Sequence, residues 1–359
     1  MPASMMVRMN KASNAGPLQI LAQSRFLLKS REEEGPLLLF KIAAPLHDLR
    51  LGKDISFQLA PDTFLAPIPD WLRNDDFTLK RLSQPDREEL AACTHCFLAE
   101  YEVDEAAELL ASRKEKETYR SAKGIKSDEV YLANFALWLL RFPSVGFNLV
   151  FHAQGSSIKQ TVRHDRFLCP DDQHHRRKLI SEDLKSVQSL YTALCKIPRH
   201  SPPWAAFRAV TSGLQMQRIE IRHLLLWIAL EALFGVADGE IKYRLSQRLA
   251  FFVANDRSEA GELFIKAKQG YDARCKMAHG AWGPTTLNTE KAIALTGITE
   301  DFIRRAFIRL LQDEEISKKF CGSAEKRSAY LDQLPFEEFI GHPGTIPAPA
   351  QSSEDTDGE

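Results

Sequence analysis

The apolar positions of this chain change period along its length. Between residues 36 and 80 they come in short runs broken by Pro, Gly and Asp, as in "PLLLFKIAAPL" and "FLAPIPDWL". "DISFQLAP" alternates apolar and polar with the period of two that a half-buried strand requires. "SDEVYLANFALWLLRF" switches to helical spacing, with Val130, Phe135, Leu137 and Trp138 inward, Ser127 or Asp128 as N-cap, and Pro143 beyond the end. "FNLVFHAQ" and "SSIKQTVRHDRFLC" then predict a hairpin turning at Gly155. Residues 36–200 are thus expected to form a mixed α/β region with short strands, and residues 1–35 a poorly ordered lead.

Beyond that the period is helical throughout. "SEDLKSVQSLYTALCKI" predicts a helix, and "PRHSPPWAAF" punctuates it with three prolines. Residues 205–335 are expected to hold the bundle, with four helical segments between Leu214 and about Phe320. "LQMQRIEIRHLLLWIALEALF" closes at Gly235, and "GEIKYRLSQRLAFFVAN" sets Ile241, Leu245, Leu249 and Phe252 on one face. The third starts at Asp256 with Glu259 three residues on, a capping-box spacing. It turns Leu263, Ala267, Tyr271 and Met277 inward and ends near Gly280, which suits a left-handed position past a helix end. The fourth, "TEDFIRRAFIRLLQDEE", takes Thr299 as its cap. A compact helical bundle is the expected product, followed by a short helix, "SAEKRSAYLDQL", and a disordered acidic tail over residues 336–359. The fold class is therefore α+β: a mixed N-terminal region, then an all-α bundle.

Composition changes the picture mainly by exclusion. A net charge of -1 removes any global attraction to nucleic acid or membrane, so a nucleic-acid contact has to be a local patch. Six cysteines in 359 residues are too sparse for a disulfide scaffold. The start, "MPASMMVRMNKASNAG", lacks a sustained apolar core, and the longest apolar stretch contains Glu231 and is too short to span a bilayer. A reducing, cytoplasmic setting with no membrane partner is expected.

The candidate chemistry lies in "YDARCKMAHGAW", at the end of the third helix. Arg274 offers a permanently charged fork for a phosphate, and His279 an imidazole that can take a proton from one oxygen and give one to another. Together they suit RNA cleavage without a metal, with the 2′-hydroxyl as internal nucleophile and a 2′,3′-cyclic phosphate as product. Five steps along a helix set the two about 140° apart, so a shared site needs a swung arginine, a relaxed helix end or a second copy. The structural alternative is a helix-terminal histidine serving the last carbonyls and an arginine paired with Asp272, Glu231 or Glu240. Glu231, in an otherwise apolar helix, either orients Arg274 or His279 or forms a buried pair with Arg244 or Arg248. Tyr271 either lines the cleft or belongs to the core.

Three segments, in order, resemble the HEPN superfamily, and within it the Apea-like branch: "WIALEALFG", "EIKYRLSQRLAFF" and "YDARCKMAHG". The resemblance covers about residues 214–315. It implies an all-helical bundle that dimerises, a metal-independent endoribonuclease with no cofactor, and a setting of phage defence or toxin–antitoxin RNA cleavage, with an antitoxin or a phage-derived trigger as further partner. The family's arginine and histidine fall on Arg274 and His279, while Cys275 stands where many active members carry a polar residue. The same resemblance allows a non-catalytic module used for dimerisation, ligand or partner binding.

Other constellations are weaker. Cys93 and Cys96 in "CTHC" have zinc-ligand spacing on one side, and His164, Cys169, His174 or His175 would have to complete a site; no metal is assigned. A redox role for the same pair lacks the βαβ setting that usually accompanies it. Arg176, Arg177 and Lys178 make a local basic run that either tracks RNA phosphates or is a solvated loop.

Overall fold

A computed structural model describes residues 37–47, 49, 51, 55–104, 122–141, 146–163, 179–235, 239–280 and 289–337. The chain divides into two compact units, Met1–Leu38 with Glu102–Ser121, and Leu39–Tyr101 with Ala122–Glu359. Only strand ends of the first are described, and the second holds the features below. It runs without a break through residues 200–205, where the period of the sequence changes.

The strands are β1 (Leu37–Leu46), β2 (Phe57–Ala60), β3 (Thr63–Pro67), β4 (His95–Asp104), β5 (Leu149–Gln154) and β6 (Ser157–Arg163). They form one antiparallel sheet in the order β2-β3-β4-β1-β5-β6. The β5–β6 hairpin turns at Gly155, whose φ of 61° is left-handed, as expected. Alternation along the strands creates two buried faces. On one, Ala43, Cys96, Leu149 and Phe151 join Ile68, Leu72, Leu90 and Cys93 from the short helices α1 (Asp70–Arg73) and α3 (Gln84–Ala92) and their flanks. Between those two helices lies α2 (Asp76–Arg81).

The other face carries Ile42, Ala44, Leu65, Phe97, Ala99 and Val150, all buried. Helices α4 (Ala122–Leu139) and α5 (Ser181–Cys195) belong to this side of the sheet. Glu129 of α4 accepts from Thr63 of β3 at 3.2 Å and from Tyr191 of α5 at 3.5 Å, and Gln188 of α5 donates to the Gln58 carbonyl of β2 at 2.8 Å.

The remaining helices are α6 (Pro202–Leu214), α7 (Ile219–Phe234), α8 (Ile241–Val253), α9 (Arg257–Ala278), α10 (Thr289–Gln312), α11 (Glu314–Cys321) and α12 (Ala324–Gln333). Helix α4 joins them to the sheet. Its Phe135 meets Phe207 of α6 and Phe307 of α10 edge-to-face at 5.2 and 5.1 Å, and Arg304 of α10 donates to the Trp138 carbonyl at 3.0 Å. Within the bundle α7, α8, α9 and α10 all pack on one another.

Several boundaries differ from the sequence expectation. Helix α4 starts at Ala122, so Ser127 and Asp128 lie inside it, and Asp128 pairs with Arg199 instead of capping. The prolines after Ile197 open α6 rather than break the chain, because Pro202 and Pro203 occupy its first turn behind a Ser201 cap. Helix α10 begins ten positions before Thr299, whose hydroxyl bonds back to the Leu295 carbonyl at 2.8 Å from within the helix. Ile241 is 44% exposed, unlike Leu245, Leu249 and Phe252 on the same stripe. Asp256 caps α9 as expected, accepting from the Glu259 amide at 2.8 Å, but the Glu259 carboxylate reaches back to the Asn255 amide rather than to Asp256.

Helices α7 and α9 meet tightly at Gly270. A β-carbon at Gly270 would stand 2.7 Å from Trp227 Cζ2. Trp227 cannot yield, since it is fully buried between His223 and Tyr271, at ring separations of 6.2 and 5.5 Å. Gly270→Ala is therefore expected to lower the urea midpoint by an overpacking cost of about 1–3 kcal/mol, despite alanine's better helix propensity. An unchanged or raised midpoint would show that the two helices have slack.

Candidate functional site

Helix α7 is apolar on every side, the composition of a helix enclosed by other elements. Yet its Ile221 and Ile228 are 39% and 47% exposed, with Leu224, Leu225 and Ala232 half-buried on the same stripe. Glu231 lies on this stripe and is the one charge in it. Its carboxylate is met by Arg274 from α9: Nη2 donates to Oε2 at 3.2 Å, and Nε approaches Oε1 at 3.0 Å. The second approach is an ion-pair contact without hydrogen-bond alignment, since both atoms lack an aligned partner. The two side chains are 26% and 28% exposed, so the pair sits at the surface of the bundle rather than in its core.

This geometry decides between the alternatives left by the sequence. Glu231 pairs with Arg274 and not with Arg244 or Arg248, both of which bind Asp332 of α12. Asp272, another candidate partner for Arg274, binds Lys242 at 2.7 Å. Tyr271 is 9% exposed and packs edge-to-face on Trp227, while its ring also lies 5.6 Å from the Arg274 guanidinium carbon. It is a core tyrosine with one edge on the site, and burial followed by the Glu231 charge raises its pKa.

His279 takes the C-cap of α9, its amide bonded to the Cys275 carbonyl at 3.0 Å, and Gly280 follows with a φ of 67°. The imidazole is exposed. The structure brings Glu231, Arg274 and Tyr271 together, and His279 is exposed at the end of the helix that carries Arg274 and Tyr271. Cys275, half-buried, adjoins the pair through the backbone. Arg176, Arg177 and Lys178 lie outside the described residues, as do His164, Cys169, His174 and His175. Among the described residues no cluster of three or more His, Cys, Asp or Glu side chains could hold a metal, and no helix is long and apolar enough to cross a membrane.

Sequence reasoning missed the residue that fixes the relation between α7 and α9. His223, fully buried in α7, is 3.0 Å by Nε2 from the Gly270 carbonyl and 3.3 Å by Nδ1 from the Thr296 hydroxyl of α10. The Gly270 carbonyl can only accept, so Nε2 carries a proton; the Thr296 hydroxyl bonds the Ala292 carbonyl at 2.8 Å, so its single proton points mainly there and Nδ1 has at best a share of it. Its sequence context, one histidine among leucines, also fits an ordinary helix surface and carries no distinguishing signal. Sequence reading also passed over the buried pair of Arg222 and Glu300, at 2.7 Å.

No family model, curated protein or solved structure matches the chain.

Burial of the neutral His223 ring pushes its pKa down to about 4. Its contribution to stability is complete above the unfolded value near 6.5, falls as the pH drops from there towards 4, and is constant below. The loss amounts to about 3 kcal/mol for a shift of this size. Urea titrations between pH 7.5 and 4 should show it in the wild type, and His223→Gln should flatten that slope while lowering stability at pH 7.5. Parallel slopes would mean that another group supplies the acid sensitivity.

Proposed function

We propose that this chain is a metal-independent endoribonuclease of the HEPN type, working as a homodimer through Arg274 and His279. The observation that carries the reading is the Glu231–Arg274 pair at the surface, beside the partly exposed apolar stripe of α7, with His279 exposed at the end of the helix that bears the arginine. Glu231 orients the guanidinium through its Nη2 and Nε.

In the proposed reaction the RNA 2′-hydroxyl attacks the adjacent phosphorus. His279 takes the hydroxyl proton, and an imidazolium delivers one to the departing 5′-oxygen. Arg274 stabilises the charge gathered on the non-bridging oxygens. The products are a 2′,3′-cyclic phosphate and a 5′-hydroxyl, with no electrons or metal required. Because Arg274 and His279 stand five positions apart at the end of one helix, about 140° around an ideal axis, the phosphate position in this proposal lies between two copies. The stripe Ile221, Leu224, Leu225 and Ile228 is the surface a second copy would cover, since an apolar helix face gains about 25 cal/mol per Å² on leaving water.

A second reading, a HEPN module that binds without cleaving, is favoured by one observation: Glu231 already occupies part of the Arg274 fork, and Cys275 supplies little to replace it. Incubation of RNA with the full chain in EDTA separates the two. EDTA-resistant cleavage giving cyclic-phosphate ends is expected, with His279→Ala and Arg274→Ala each reduced by about 10²–10³-fold. Absence of cleavage by the wild type, including on expression in cells, would leave the binding module. Ile228→Glu is expected to give a monomer by sedimentation and to lose cleavage with it; an unchanged dimer would move the interface elsewhere.

A further inference from the structure

The C-terminal half of α9 carries a charge excess that ending a helix does not require. From residue 266 to residue 279 it holds Lys266, Lys268, Arg274 and Lys276 against one carboxylate, Asp272, in a chain whose net charge is -1. Lys276 lies in the last turn and answers the negative pole of the helix. Lys266 and Lys268 stand about three turns before the end, beyond the reach of that pole. Asp272 does not offset them, since Lys242 of α8 pairs with it at 2.7 Å.

Beside these lysines lies exposed ring surface. Tyr243 of α8 is 47% exposed and stands edge-to-face on the half-buried Phe264 of α9, with ring centroids 5.3 Å apart. Lys268 Nζ lies over the Phe264 ring, 5.3 Å from its centroid, so the ammonium is held beside the aromatic pair. Ile265, next to Phe264 in the chain, is 58% exposed. On an ideal helix Phe264, Lys268, Asp272, Cys275 and His279 fall within an arc of about 80°. The exposed His279 therefore lies along the same face as the rings, about 22 Å from Phe264 by helical rise.

We propose that this face of α9 is a track for single-stranded RNA, on which Tyr243 stacks a base and Lys268 holds a nearby phosphate of the strand that runs on to His279. Rings and cations in alternation along one face are what a single strand needs: the rings take bases and the lysines take the backbone between them. A duplex does not fit the same groups, because its base faces are already stacked on one another. The charge excess favours a polyanion. A second copy meeting this face across a twofold axis would set lysines against lysines, which disfavours a copy of the chain as the occupant. The ligand class rests on the endoribonuclease reading above, and the track adds where the strand is held away from the cut.

The test is fluorescence anisotropy of a labelled 2′-O-methyl RNA strand with the full-length protein, a probe that lacks the attacking hydroxyl and so reports binding without cleavage. The wild type is expected to bind the single strand about tenfold tighter than the same strand in a duplex. Tyr243→Leu keeps apolar bulk but removes the ring, and should weaken binding by about tenfold, while Tyr243→Trp should bind at least as well as the wild type. Lys268→Gln should reduce the slope of log affinity against log salt by about 0.7, the share of one phosphate contact on a single strand. Wild-type affinity in folded Tyr243→Leu overturns the track, as does equal binding of strand and duplex, or no binding by the wild type. A Tyr243→Leu protein that sediments differently but keeps its RNA affinity makes this face a protein interface and overturns the track as well. Cleavage is read separately: native RNA still cut while Tyr243→Leu keeps full affinity refutes the track alone, and Tyr243-dependent binding with no cut of native RNA refutes the cleavage alone.

Discussion

The contact on which the arrangement of the bundle depends is the seating of α9 against α7 at Gly270. Absence of a side chain there lets the Trp227 indole lie almost on the α9 backbone. The same carbonyl receives the ring of His223, one turn earlier on α7. Apolar closeness and a buried polar bond thus act at one point, and each limits the other: the bond has its length only at this helix separation, and the separation is tolerable only with glycine. Glu231 is one turn beyond Trp227, and Arg274 one turn beyond Gly270. Their ion pair is the next contact along the same seam, so its geometry is inherited from the packing beneath it.

Arginines do much of the other polar work in the bundle, and the buried ones contrast with Arg274. Arg222 and Glu300 form a pair that is 2% and 8% exposed, with Arg304 on the same carboxylate at 3.6 Å. Arg248, 2% exposed, holds the last carbonyls of α7, at Phe234 and Gly235, and both oxygens of Asp332. It ties α12 to the end of α7 and answers the negative pole of that helix. These guanidiniums are consumed by packing, since a charge so far from water is stable only with its donors satisfied. Arg274 keeps a quarter of its surface in water, with Glu231 as its carboxylate partner among the described residues.

The sheet and the bundle bring polar side chains together in two unlike ways. At the sheet end, Cys93, His47 and Asn148 lie just after α3, just after β1 and just before β5, and two of the contacts of His47 span 46 and 101 positions. Their mutual geometry is held by strand pairing on either side and by the helix packed beneath. At the bundle surface, Arg274 and His279 come from one helix, so local structure holds their relation within the chain and tertiary structure supplies only Glu231.

Much of this was written into the order of residues. The strand alternation, the turn at Gly155, the cap at Asp256 and the helix end at Gly280 follow from local rules, because each depends on neighbours within a few positions. The apolar stripes identified Leu245, Leu249, Phe252, Leu263 and Ala267 as core for the same reason. Local rules failed where a stronger neighbour intervened: at Thr299, a good cap residue, the apolar stretch before it found partners in the bundle and the helix ran through. The choice of Arg274 as the partner of Glu231, the closure of Arg248 on Asp332, the role of His223 and the meeting of His47 with Cys93 had no sequence signature. Each is a choice among several chemically equivalent partners, and only the path of the backbone through space selects one.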